Sequence, residues 1–520
     1  MVTGVTGTSK DALKAVVENL REPNKTDMPD FSQNSNGYFF RHQTRYVIMS
    51  ISIFCFTIAL SNTLVFNFTV ICMSNDDIEA RKSFNDSSGE IFIPKYTYSA
   101  SEQGWLFSAV AIGNLVGTLP VPYVTTKYGI RAIFTCYGFA SAISTLLIPT
   151  IAAFGFIPFF IIRIIQGFAI SLIVPSFGFV GSNWSSLKHA GAFIALLTCF
   201  QQFSPIFTMP VSGYLCDSSF GWRSAYYLHG ILALIGFSFF GYFYRESPRF
   251  HRNVSAKELA KITEGKNSIH LSNGEKPPIP YYEIFTDKAV IGIFISLFGN
   301  YVGFSLFQQY GPTYLNKVVN MDIQKTGLAA ALPYAGSLVV KMVTGPLSDS
   351  NTWVSQKTWV LMFASLSMFS MAFFMIILAW MPIHSQLFAQ ICFTLAIVFA
   401  GFNAVGVMKS AHLISRQYAP VVMMCCGFIS STVVLLLPVF VSIVAPTNSP
   451  SEWSTVFYVL AVLIIVTTII FYITCEVEPR SWTYELSSKK PKKIFVASKF
   501  NENPKTFNEI SDSLEQPKFS

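Results

Sequence analysis

Arg163 stands in the run Phe159-Phe160-Ile161-Ile162-Arg163-Ile164-Ile165-Gln166-Gly167, a guanidinium with apolar neighbours on both sides. A cation at bilayer depth is costly and is kept where it faces a cavity or a solute, so Arg163 is a candidate ligand for a crossing anion. Two structural readings compete with this one. Arg163 lies about two turns from the end of its apolar stretch, near enough to snorkel to the interface or to bond a carbonyl of another helix. Lys341 is the other charged candidate; its long stem can snorkel, or it can face the cavity as a second positive charge. Uncharged polar side chains (Asn62, Asn67, Asn114, Gln201, Gln202, Asn300, Gln308, Gln309, Tyr310 and Asn403) complete the set. Unpaired in lipid each amide would cost roughly 1–3 kcal/mol, so these groups either line a hydrogen-bonding cavity or join helices. No nucleophile with a base, no metal-ligand spacing and no nucleotide loop is present, so the residues point to binding and transfer, not to an enzyme or a cofactor.

The elements that must hold these residues are helices that cross a membrane. Of 520 residues 52% are hydrophobic and 12% charged, and the mean hydropathy is +0.46, too apolar for a soluble globule of this length. Helix-length apolar stretches fall near 46–73, 103–126, 132–152, 156–180, 190–215 and 224–244, then near 289–311, 326–347, 358–381, 384–407, 419–444 and 454–475. The spacing predicts an all-α polytopic membrane protein with about twelve transmembrane helices in two pseudo-symmetric six-helix bundles. Its expected segments are a cytoplasmic tail over 1–45, a first bundle over 46–244, a cytoplasmic linker over 245–288, a second bundle over 289–475 and an unstructured cytoplasmic tail over 476–520.

The net charge of +8 comes from tails and short loops. With no basic face interleaved with aromatics it is a topology signal and not a nucleic-acid footprint. The basic residues of the first 45 positions, of the linker and of the run Lys489-Lys490-Pro491-Lys492-Lys493 place both termini in the cytoplasm by the positive-inside rule. The loop after the first span is acidic and carries the sequon Asn85-Asp86-Ser87, a glycosylation site on the outer face. The nine cysteines lie almost all in apolar stretches and read as small core residues. A Cys72–Cys216 disulfide is a remote option.

The halves echo one another. Ser99-Ala100-Ser101-Glu102-Gln103-Gly104 leading to Gly113 matches Asp322-Ile323-Gln324-Lys325-Thr326-Gly327 leading to Gly336, a capping residue and glycines at equal spacing. Gly221-Trp222 with Tyr226-Tyr227 echoes Glu452-Trp453 with Val456-Phe457-Tyr458. The pairs Gly113 with Gly117 and Gly299 with Gly303 allow close helix contact.

These motifs carry a resemblance to a known family. Together with Arg163-Ile164-Ile165-Gln166-Gly167, Pro175, Trp184, Pro210-Val211-Ser212-Gly213, Glu246-Ser247-Pro248, Glu283-Ile284-Phe285-Thr286, Ala331-Leu332-Pro333, Gly345 to Asp349 and Gly401-Phe402-Asn403, they resemble the major facilitator superfamily. Within it they are similar to the anion:cation symporters, the sodium-phosphate, sialin and vesicular glutamate transporters. The resemblance implies transport of a small organic anion or phosphate by alternating access, with a proton or sodium ion as the usual coupling partner. It implies a plasma, endolysosomal or vesicular membrane. Arg163 falls on the family's anion-facing arginine, with Asn300, Gln308, Gln309, Asn403 and Lys341 as further candidates for the substrate site. Lys127, Gly129 and Arg131 match the superfamily's basic gating loop, and Asp349 the acid of its counterpart in the second half.

Four charged or titratable family positions are absent, falling at about Thr63, Phe107, Ile170 and Asn300. A protonmotive carrier needs a group that titrates in the bilayer, so without a carboxylate or histidine in spans 1, 2 and 4 transport is expected to be weakly pH-dependent. His412, at the cytoplasmic end of the tenth span, is the nearest remaining candidate. The same losses suit two alternatives: a sensor or scaffold that keeps the transporter fold without transporting, and a uniporter for a neutral or zwitterionic solute.

Overall fold

The computed structural model describes residues 40, 42–85, 96–186, 190–264, 279–350, 354–380, 385–404 and 406–483. Among them the protein is helical, with no strand. The first half contains α1 (Thr44–Asn85), α2 (Ala100–Thr118), α3 (Val121–Ile151), α4 (Phe156–Ile170) continued by α5 (Ile173–Trp184), α6 (Ala190–Leu197) continued by α7 (Phe200–Asp217), and α8 (Gly221–Phe243). The linker forms two short helices, α9 (Ala256–Thr263) and α10 (Tyr281–Thr286). The second half contains α11 (Lys288–Thr313), α12 (Ile323–Ser350), α13 (Gln356–Trp380), α14 (Gln386–Ala400) continued by α15 (Val407–Ser415), α16 (Ala419–Val444) and α17 (Pro450–Thr474).

Among the described residues eleven helices are long and apolar enough to cross a membrane. Glu102, Gln103 and Asn114 dilute α2, of 19 residues, below that measure, yet it packs along α4 and α16 as the twelfth long helix.

Local chemistry sets the ends. Ser99 and Glu102 close a capping box at α2, and Ser449 and Glu452 close the same motif at α17, each satisfying two otherwise orphaned N–H groups. The second span, expected to reach residue 126, is interrupted after Thr118, because Pro120 and Pro122 offer no N–H to Val116 and Thr118, and helix resumes at Val121. The fourth span breaks after Ile170 for the same reason, since Pro175 cannot donate to Ser171. The first helix, expected to stop near 73, continues to Asn85.

In the first half α2 packs on α4, α3 on α8, and α1 on α7 and α8; in the second α11 and α13 pack on α17, and α14 on α12 and α13. Glycine permits the closest approach: a Cβ on Gly113 would lie 2.0 Å from the Ile164 carbonyl oxygen, and one on Gly167 2.0 Å from that of Val110. The two halves meet along α7 with α12, α2 with α16 and α1 with α11.

Three segments share one side of the molecule, called here the linker side. The Thr44 hydroxyl donates to Asn253 O (2.7 Å) and the Arg45 amide to Glu258 Oε1 (2.8 Å). After α17, Arg480 Nε donates to Asp287 Oδ2 (2.6 Å), which also accepts from Trp482 Nε1 (3.0 Å). Burial works to raise the Asp287 carboxyl, but Arg480, Trp482 and the Ala289 amide together hold it below the ordinary carboxylate value. The stretch following α17 is thus anchored through Thr483, and only 484–520 of the expected tail lies outside the described residues.

Gly113→Val and Gly167→Val should each cost about 1–3 kcal/mol by forcing α2 from α4. Thermal melts of detergent-purified protein check this; a wild-type midpoint in both variants would mean these helices do not touch.

Candidate functional site

Arg163 is 1% exposed. It sits two turns into α4, where α1 and α2 flank it, and their main chains solvate it. Arg163 Nε donates to Leu106 O of α2 (3.3 Å), and Nη1 donates to Thr63 O of α1 (3.0 Å) and to Gln166 Oε1 (2.9 Å). Gln166 Nε2 passes the network on to Asn62 O (3.1 Å) and Thr145 Oγ1 (2.8 Å), and Asn62 Nδ2 donates to Ser141 Oγ (2.9 Å). The carbonyl-bonding reading of Arg163 is therefore realised in this conformation. Two features go beyond it. No carboxylate pairs with the guanidinium among the described residues, and Nη2 has no hydrogen-bond partner among them. The ionisable side chain that interacts with it electrostatically is Tyr226 of α8, whose hydroxyl is bonded to Thr69 Oγ1 (2.7 Å).

An aromatic chain closes the site toward the second half. The guanidinium carbon lies 4.8 Å from the centre of the Phe66 ring, a cation–π arrangement. Phe66 meets Phe107 (5.2 Å), Phe107 meets Tyr310 of α11 (4.9 Å), and Tyr310 meets Trp453 of α17 (6.1 Å). Nearby contacts seal the seam away from the linker. Asn67 Nδ2 donates to Gln308 O (3.3 Å) and Ser108 Oγ to Leu435 O (2.8 Å), and Gly213 packs on Gly327; further toward the linker side Asn114 Nδ2 donates to Ser431 Oγ (2.9 Å).

The other expected residues divide into groups. Gln308 is tied to the first half through its main-chain carbonyl, which accepts from Asn67, one turn from Thr63. Gln309 is buried with neither amide atom bonded. Asn300 bonds Met368 Sδ of α13 (3.4 Å), and Asn403 is buried with its Oδ1 unpartnered; neither bonds Arg163. Lys341 is half-buried on α12 and interacts with Cys199 at the junction of α6 and α7. Among the described residues it has no ion-pair partner. Gln201 is exposed and Gln202 buried.

At the basic gating loop the helix is interrupted, because Gly129, between Lys127 and Arg131, has non-helical angles of φ 78° and ψ 158°. Glu246 Oε1 occupies the space a Cβ on Gly129 would need. Arg131 Nε donates to Gly241 O (2.8 Å), and Lys127, exposed, lies over the rings of Tyr123 and Tyr128. Asn183 and the motif residue Trp184 donate to Glu246 O and Arg245 O, so this corner is bound within its own half. Asp349 and Asn85 fall in the last turns of α12 and α1, their side chains outside the described residues.

Two features depart from expectation. Cys72 and Cys216 are joined in a disulfide between α1 and α7, Cα to Cα 6.2 Å, so they are not small core residues; Cys136 is exposed. The expectation of a first half without a proton carrier weighs only spans 1, 2 and 4, whereas α8 carries a fully buried histidine, His229. His412 is exposed.

Residues 46–423 match the Major Facilitator Superfamily. Sialin from Homo sapiens is 22% identical over 391 residues, which cover 75% of this chain and 78% of that protein. Sodium-dependent phosphate transport protein 1 from Mus musculus is 22% identical over 86% of this chain and 96% of its own length. The solved structure of the xylose transporter XylE from E. coli shares the fold with a TM-score of 0.60 at 15% identity, over 82% of this chain and 97% of its own.

Asn114→Cys with Ser431→Cys should form an oxidant-induced cross-link. After cleavage at a protease site placed within 265–278, the two halves should migrate together on a non-reducing gel. Separation of the halves would show that α2 and α16 do not meet at this depth.

Proposed function

We propose, for a chain that belongs to the Major Facilitator Superfamily as a divergent relative of its anion:cation symporters, that it carries a small organic anion or phosphate by alternating access, with Arg163 as the charge partner. The chain is a multi-pass membrane transporter and not an enzyme. The observation that carries the anion reading is a fully buried guanidinium with no carboxylate among the described residues and with Nη2 unbonded. Carbonyl oxygens and the Phe66 face solvate a cation without neutralising it, and leaving a buried charge uncompensated costs about 3–5 kcal/mol. A bound anion on Nη2 relieves that cost. A neutral solute would not, which disfavours the uniporter alternative. In this conformation the seam on the side away from the linker is closed over the site, so the anion reaches or leaves Arg163 from the linker side. Lys341, half-buried at the α7–α12 seam without an ion-pair partner among the described residues, offers a second positive charge on that route.

The orientation follows from charge. Basic segments and the contacts of residues 44–45, 253–258 and 480 gather on the linker side, which the positive-inside rule makes cytoplasmic. The Cys72–Cys216 bridge then faces an oxidising lumen or the cell exterior.

Purified protein in liposomes, offered phosphate, sialic acid, glutamate, urate and neutral amino acids, should move an anion. Arg163→Ala should abolish that flux. Arg163→Lys should restore it poorly, by about tenfold or more below wild type, because an ammonium lacks the planar fork. Anion binding unchanged in a well-expressed alanine variant would leave Arg163 a purely structural role. For topology, Asn85→Gln should remove a glycan-dependent gel shift, and a tag after residue 520 should stain only after permeabilisation. Staining of intact cells would reverse the orientation.

A further inference from the structure

His229 is fully buried in α8. Its Nδ1 lies 2.7 Å from Ala225 O, and because a carbonyl only accepts, Nδ1 carries the hydrogen. Nε2 is then a bare lone pair in the neutral ring, and it has no hydrogen-bond partner. The large majority of buried side-chain polar atoms have a hydrogen-bond partner, and this nitrogen does not.

The helices around it carry further unpartnered polar atoms. Ser204 Oγ donates to Thr57 O (2.8 Å), fixing α7 against α1. One turn on, these helices present Thr208 and Ser61, both fully buried with unpartnered hydroxyls. The contacts of Cys55 Sγ with Gly236 O (3.3 Å) and of Thr69 with Tyr226 register α8 against α1, and His229 falls between them. Phe207, the neighbour of Thr208, packs 5.1 Å from the imidazole. Asn62, next to Ser61, accepts from Gln166, which is bonded to Arg163. Ser61 is thus one residue from the network that holds the guanidinium.

Ionisable groups are sparse around it. Tyr226 lies one turn away on the same helix, Arg163 lies beyond α1 on α4, and Cys55 lies on α1 two turns toward the linker side. At this level α3 offers Leu146 against Gly230, and α7 offers Phe207; neither ionises.

We propose that His229 is the protonation site of this carrier, with a side-chain shift bringing the Ser61 and Thr208 hydroxyl oxygens to accept from Nε2 once it is protonated. The uptake is simple proton binding, imidazole plus a proton giving imidazolium, and an anion at Arg163 favours it by supplying negative charge to the same half. Proton and anion then travel together. The coupling rests on the anion-carrier reading; the proton site does not.

Imidazole nitrogen NMR on purified full-length protein tests the site without any substrate. One resonance, absent in His229→Gln, should gain a proton at Nε2 between pH 4 and 8. Ser61→Ala with Thr208→Val, which keep the ring, should lower its proton affinity about tenfold. An Nε2 that stays neutral down to pH 4 overturns the proposal. In liposomes with membrane potential clamped, wild-type protein should accumulate phosphate, sialic acid or glutamate under an imposed pH gradient. His229→Gln should lower the ratio of accumulation to exchange at least fivefold. Gradient-driven accumulation that survives the substitution also overturns it. A titrating Nε2 in a wild-type protein that moves no anion would uphold the proton site and sink the carrier reading.

Discussion

The first half of the protein is organised around the solvation of one desolvated cation. A guanidinium cannot shed its charge in a protein, so the helices around Arg163 must supply what water would. They do so with the carbonyls of Thr63 and Leu106 and the amide of Gln166. Those bonds need α1 and α2 within a side chain's reach of α4. The glycine contacts of Gly113 and Gly167 are what let α2 come that close. Packing and electrostatics thus constrain each other: a bulkier α2–α4 seam would strand the charge, and a neutral residue at 163 would leave Gln166 Oε1 without its donor.

The second half meets this arrangement with rings and small residues. Phe107 and Tyr310 bridge the seam, and Gly213 on Gly327 lets α7 and α12 pack backbone to backbone. Such contacts are apolar or weakly polar, and exchanging them for lipid or for one another costs less than breaking an ion pair. The seam is thus the weaker boundary, whereas the Arg163 network lies within one half.

Long apolar runs made the twelve-helix architecture legible before any coordinates, because hydropathy reports burial over about 20 residues. Short-range bond chemistry was legible where it had a local signature, as in the capping pair Ser99 and Glu102. It was lost where hydropathy runs straight through a break: the stop at Thr118, the split at Ser171 and the kink at Gly129 are settled by missing N–H groups and by backbone angles that an apolar window does not see. Arg163 stood out by its charge, but its acceptors are main-chain atoms and carry no residue signature. The Cys72–Cys216 bridge joins positions 144 apart in sequence, a pairing that only packing reveals. His229 was readable as a histidine in a span; its unbonded Nε2 was not.

The choice of main-chain acceptors for Arg163 bears on how the chain tolerates genetic change. Every amino acid brings the same carbonyl, so variation at codons 63 and 106 leaves the two acceptors in place provided the helices keep their course. The guanidinium has no such redundancy. A substitution at either wall position is therefore absorbed by the backbone, whereas the loss of this one side chain is made good by no neighbour.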